Sequence, residues 1–119
     1  MTAPTENPLL VFEAVTGVVA RLSLSGELDL ATADELIAHG ARHLDNPNTW
    51  HVIADLTDVP FIGSSGLTAL ITLRRRADAH GKLFSVENAR ALVSHVIEIT
   101  GLTEYLTDPT YHPPDGRRR

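Results

Sequence analysis

The chain has 119 residues, 43% of them hydrophobic and 5% aromatic, with no cysteine. That length suits one domain with a core of Leu, Val, Ile and Ala, and the missing cysteine excludes a disulfide framework, a thiolate zinc site and a Cys nucleophile. The net charge is −5; the last eleven residues hold three Arg and one Asp, for +2, which leaves −7 on the other 108 and argues against nucleic acid as a partner.

Residues 1–8, MTAPTENP, read as a flexible tail. They hold no basic residue and no apolar run, so they are not a signal peptide. No stretch reaches the roughly 20 apolar residues of a membrane span. The expectation is a cytoplasmic protein without membrane insertion.

LLVFEAV, residues 9–15, and VVARLSLS, residues 18–25, are strand-like runs around a Thr16-Gly17 turn, which predicts a hairpin. Thr32 and Glu35 have capping-box spacing, so a helix should start near Ala33 and end at DNPN, residues 45–48. HVIADL, residues 51–56, is a short strand reached by a crossover, and TDVP is a loop. From Ser65, the apolar residues Leu67, Leu70, Ile71 and Ala77 recur at helical spacing, with Arg74, Arg75 and Asp78 on a polar face and Gly81 as a stop. KLFSV, residues 82–86, is the next strand; Asn88 is placed to cap a helix whose core stripe is Leu92, Val93, Val96 and Ile97, ending at Gly101. Leu102 to Leu106 is a candidate short last strand, and residues 109–119 a flexible basic tail. The order β-β-α-β-α-β-α predicts an α/β domain over 9–108: a small mixed β-sheet with helices packed against it.

The segment FIGSSGLTAL, residues 61–70, sits where a strand feeds a helix, the usual place for a site in such folds. Ser64 or Ser65 could cap that helix. A nucleophile elbow needs G-x-S-x-G, and Gly63-Ser64-Ser65-Gly66 is one residue short. His80, sixteen residues along the same helix, would be about 24 Å away at about 1.5 Å per residue. A P-loop needs a Lys after its glycines, and the one lysine is Lys82. Phosphate acceptance remains: two small residues leave the hydroxyls accessible, and a helix N-terminus favours negative charge.

Three stretches in order, SGELDLATADEL, ADLTDVPFIGSSGLTAL and the helix end ITGL, resemble a STAS domain of the bacterial anti-sigma factor antagonist type, over roughly Leu9 to Leu106. The resemblance implies a single STAS-like domain that is not an enzyme. It would bind an anti-sigma factor, often a serine kinase of histidine-kinase-like ATPase fold, and so release the sigma factor. The partner kinase would use ATP to phosphorylate Ser64, less often Ser65, which ends binding, and a phosphatase would reset the switch. The chain itself would need no cofactor and would be a monomer or weak dimer. Partner-binding positions implied this way are Glu27, Asp29, Asp55, Gly63, Ser64, Ser65, Gly66 and Thr68. One departure stands out: Gly63 occupies the place where the family usually has Asp. The rival readings are a STAS scaffold or accessory subunit, for instance of a transporter, without a phospho-switch, and, more remotely, a serine hydrolase.

Other residues have local readings. Glu27, Asp29 and Asp55 could be ordinary loop acids. His39 and His43 have the i, i+4 spacing of metal ligands but no third ligand at a recognisable spacing, so an exposed pair is expected. Arg74, Arg75 and Arg76 should form a solvated face. Trp50 is either partly buried or a rim contact.

Overall fold

Period-two alternation sorts the strand residues onto two faces, and only one face is covered by helices. In the computed structural model, which describes residues 8–112, β1 (Leu10–Thr16) and β2 (Val19–Ser25) pair antiparallel as the predicted hairpin. β3 (His51–Asp58) and β4 (Leu83–Glu87) add in parallel, giving the mixed sheet β1-β2-β3-β4. Of the expected tails at 1–8 and 109–119, residues 1–7 and 113–119, with Arg117, Arg118 and Arg119, lie outside the described residues, while the Tyr111 carbonyl accepts from Arg74.

Ala20, Leu22 and Leu24 of β2, Val52, Ala54 and Leu56 of β3, and Phe84 and Val86 of β4 are buried on the helix face. They meet Leu36 and Leu44 of α1 (Ala33–Leu44), Leu70, Leu73 and Ala77 of α2 (Ser64–Ala79), and Val93 and Ile97 of α3 (Ala91–Ile99). Each fully buried Leu or Val contributes about 1.5–3 kcal/mol relative to exposure, so this sandwich dominates stability. α1 and α2 approach closely at Gly40, where a Cβ would stand 2.6 Å from the Leu73 methyl carbons. Gly81 and Gly101, at φ +67° and +74°, end α2 and α3 as the sequence predicts.

The other face is open and polar at its centre. Arg21 reaches from β2 across β3 to Asp55 (2.9 Å) and Glu87 (2.8 Å). Its arm crosses above Ile53, its register partner, which is buried although no helix lies there. His51 and Ser85 pair beside it at 2.9 Å.

Several expectations need correction. Leu102 to Leu106 is not a strand: Thr103–Thr107 forms a short helix, α4. The run is too short for its period to tell strand from helix, and Leu106 is buried in the core. α1 starts at Ala33 as expected, but Thr32 and Glu35 do not form a capping box. Instead the Asp29 carboxylate accepts from the amides of Ala31 (3.0 Å) and Thr32 (3.2 Å), while the Thr32 hydroxyl donates to the Glu27 carbonyl (2.7 Å). Asn88 does not cap α3, whose N-cap is Arg90; it takes φ +60° and donates to Asp55 at 3.2 Å. Leu92 leaves the α3 stripe and is exposed.

The basic run is split. Arg75 is solvated and Arg76 pairs with Asp45 at 2.8 Å, but Arg74 is fully buried. The segment after α3 folds back over α2 and encloses it. His39 and His43 are not a free pair either. Glu13, from β1, meets His39 Nδ1 at 2.6 Å, His43 Nε2 at 2.8 Å and Arg42 at 2.5 Å, and His43 is buried. Trp50 is half exposed.

The Glu13 cluster joins the edge strand to α1 and has a pH signature. Burial raises the Glu13 pKa, but hydrogen bonds from His43, Arg42 and His39 outweigh it and hold the carboxyl at about 2, against 4.5 for the free group. A depressed carboxylate contributes stability that is complete above the unfolded value and is lost as pH falls through the folded one. Stability should therefore decline between pH 4.5 and 2 partly through this group. Urea midpoints measured across that window should show a shallower acid limb for Glu13→Gln than for wild type.

Candidate functional site

The loops that follow β2 and β3 are stitched together, and that places the paired serines. The Gly26 amide donates to Asp58 O (3.2 Å), the Leu28 amide to Phe61 O (3.0 Å) and the Gly63 amide to Leu28 O (2.8 Å). Leu28 and Ile62 form a parallel bridge, extending the sheet by one rung beyond β2 and β3. The GELD and IGSSG stretches, about 35 residues apart, thus form one surface.

Ser64 is the first residue of α2 and Gly63 is its N-cap, with no side-chain capping bond. Neither serine is therefore the cap. Ser64 is exposed, Ser65 half-buried, and Thr68 exposed one turn further on. These three line a shallow groove of about 290 Å³ between α1 and α2 with Leu30, Ala33, Asp34, Ile37 and Ala69. Leu30 is 82% exposed at the rim, and Phe61 is also exposed just before the serines. The site thus offers a reachable hydroxyl at an uncapped helix N-terminus beside exposed apolar side chains. Uncapped amides at such an end favour negative charge.

The two glycines differ. A Cβ on Gly66 would stand 2.7 Å from the carbonyl carbon of Leu28, and nearer still to its oxygen. Gly66 is what lets α2 start against the GELD loop. Gly63 has φ −98°, ψ −177°, and a Cβ there would meet the Phe61 ring at 3.4 Å, an ordinary contact. Nothing in the backbone demands glycine at 63, and a Cβ there fits without a backbone shift.

Of the other residues singled out in the sequence, Glu27 and Asp29 are half-buried in the GELD loop, and Asp29 is engaged in starting α1. Asp55 is elsewhere. Its register partner is Ser23, on the open face, whereas the groove lies between helices on the covered face. Burial raises its pKa, but hydrogen bonds from the Thr57 hydroxyl and amide and from Asn88, with the charge of Arg21, bring the carboxyl below its ordinary value. Asp34, Ile37 and Leu30 belong to the groove and were not singled out. For Asp34 and Ile37 the helical spacing of α1 was a usable signal; for Leu30 there was none.

Five imidazoles are engaged away from the serines. His39 and His43 meet Glu13, His51 meets Ser85, and His80 lies 3.3 Å from Asp45. His95 is 3.9 Å from Glu98. None of these contacts reaches Ser64.

The sequence matches the family described as Mlab, STAS domain, over residues 11–108, and the chain belongs to the STAS-domain family. An anti-sigma factor antagonist from Mycobacterium paratuberculosis is 26% identical, with a TM-score of 0.71 and coverage of 82% of each chain. The anti-sigma factor antagonist SpoIIAA in its unphosphorylated form is 22% identical, with a TM-score of 0.70 over 86% of this chain and 88% of that one. The phosphorylated form of Bacillus SpoIIAA gives 20% identity and a TM-score of 0.66 over 85% and 92% of the two chains. A sulfate transporter family protein from Wolinella succinogenes is 19% identical, with a TM-score of 0.67 over 80% of this chain and 76% of that one. The α/β fold and the resemblance to anti-sigma factor antagonists drawn from the motifs therefore stand. Among the described residues no helix is long and apolar enough to cross a membrane.

Proposed function

We propose that the protein is an anti-sigma factor antagonist switched by phosphorylation of Ser64. The observation that carries this is the placement of Ser64: exposed, first in α2, on the rim of the α1–α2 groove. Similarity to antagonists, one of them solved in a phosphorylated form, supports it. In this reading the unmodified groove, with Ser65, Gly66, Thr68 and the GELD loop, receives the anti-sigma factor, and the sigma factor is released. The partner is a serine kinase that brings its own ATP, and a phosphatase restores the hydroxyl. A phosphate adds about −1.5 to −2 charges at pH 7 to a face that already carries Asp34. It also occupies the rim where the partner sits. Glu27 and Asp29 belong to the contact loop; Asp55, on the open face, acts at most through the strand that carries it.

The test is the affinity of three forms for the anti-sigma factor recovered from the native host. Wild type and Ser64→Ala should bind alike, and Ser64→Asp at least tenfold more weakly, about 1.4 kcal/mol. Equal affinity for all three would remove the switch.

A second reading, an accessory STAS subunit without a phospho-switch, is favoured by the likeness to the Wolinella transporter-family protein and by Gly63 in place of the expected Asp. It predicts that Ser64 remains unmodified beside an active native kinase.

A further inference from the structure

The two edges of the sheet are treated differently. β4, five residues long, has α4 packed against it. Beside the outer edge of β1, no strand pairs among the described residues. A free strand edge is a template for another strand, and proteins usually blunt such edges with Lys, Pro, bulges or charges. β1 reads LVFEAVT, without Lys, Pro or Gly, and its register against β2 is unbroken from Leu10 to Thr16. Its one charge, Glu13, faces α1 and is held there by His39, Arg42 and His43. Apolar side chains flank the edge on both faces: Leu10 and Phe12 on the open face, 52% and 66% exposed, and Val15 on the other, 60% exposed.

We propose that β1 is a self-association edge, on which two copies of the chain pair antiparallel about a twofold axis to fuse their sheets into one. The strand complements itself. Pairing centred on Glu13 sets Phe12 opposite Ala14 of the second copy, Val11 opposite Val15, and Leu10 opposite Thr16, so the largest side chain of the open face meets the smallest. The same axis brings two Glu13 carboxylates together, and each arrives with its own Arg42 and two imidazoles. Each carboxylate is thus already neutralised within its own copy, so the two can meet across the axis, and the self-complementary side-chain sizes commit the occupant to this chain. The edge includes none of the groove residues, so each copy keeps its Ser64 accessible. Seven residues span about 24 Å at about 3.4 Å each, a small contact beside the roughly 1,200–2,000 Å² of stable interfaces. The dimer is therefore weak and depends on concentration.

Sedimentation equilibrium of the full chain, from micromolar to millimolar, should show the mass rising from 12.9 kDa towards twice that value. Hydrogen exchange of the β1 amides that face away from β2 should slow over the same range. Phe12→Lys and Val15→Lys, both at exposed positions, should each weaken association at least tenfold. Trp50→Lys, exposed but outside β1, should leave it unchanged. Three results would overturn the proposal: a monomer at millimolar concentration, a dimer that survives both β1 lysines, or those β1 amides equally protected at every concentration. The last would mean that the chain covers its own edge. The exchange measurement needs no variant, so a misfolded mutant cannot decide the matter.

Discussion

Gly66→Ala should destabilise the domain by about 1–3 kcal/mol, although the substitution improves helix propensity by about 1 kcal/mol. The sign follows from what the new methyl group meets. It would lie 2.7 Å from both the carbonyl carbon and the Cβ of Leu28. A flexible side chain could rotate aside, but a peptide plane bridged to Ile62 cannot. Either the first turn of α2 or the GELD loop must move, and both carry the site. Partner affinity should therefore fall together with stability. Gly63→Ala is the control, since its methyl group meets the Phe61 ring at 3.4 Å and needs no backbone shift. Urea unfolding of the two variants checks the contrast. Equal midpoints would mean that the close approach at Gly66 is not a constraint.

Arg74→Met should cost about 2–4 kcal/mol, and the loss should appear first in the C-terminal segment. The buried guanidinium donates through Nε to both oxygens of Asp78 (3.0 and 3.2 Å). It donates through Nη1 to the carbonyls of Tyr105 and Asp108, and through Nη2 to the carbonyl of Tyr111. It also lies 4.5 Å from the centroid of the Tyr105 ring. One cation thus ties α4 and the residues after it to α2. Methionine roughly keeps the volume and drops every donor, so the carbonyls of Tyr105 and Tyr111 lose the guanidinium, whereas Asp108 O keeps the Tyr111 amide. Asp78 is partly exposed and can be solvated, which limits the cost. Arg74→Lys keeps the charge without the planar fork, so it should recover only part of the loss. Hydrogen exchange resolved along the chain should show residues 103–112 released in Arg74→Met while β2 and β3 remain protected. Unchanged exchange there would mean that Leu106 alone anchors the segment.

Most of the architecture was legible because it is written in short-range patterns. The alternation in VVARLSLS, the spacing of Leu67, Leu70 and Ala77, and the glycines at 81 and 101 each need only a few neighbouring residues to be read. The junction at FIGSSGLTAL was legible for the same reason. The resemblance implies Asp55 as a partner-binding position, whereas the alternation Ala54-Asp55-Leu56 turns it away from the buried face. The helical character of residues 103–107 could not be read, because five residues are fewer than two helical turns.

Local order thus follows in large part from the sequence by itself: the seven strands and helices from β1 to α3, the buried face of most of them, and the helix that begins at the paired serines. The fate of its polar side chains was decided by tertiary structure. Arg74 looks like its neighbours Arg75 and Arg76 until a segment more than 30 residues later folds over it. His39 and His43 lacked a third partner until the sheet brought Glu13 from 26 and 30 residues away. Burying a charge or an imidazole is costly unless a partner meets it, and which partner arrives is set by strand order and helix packing, which short-range spacing does not encode.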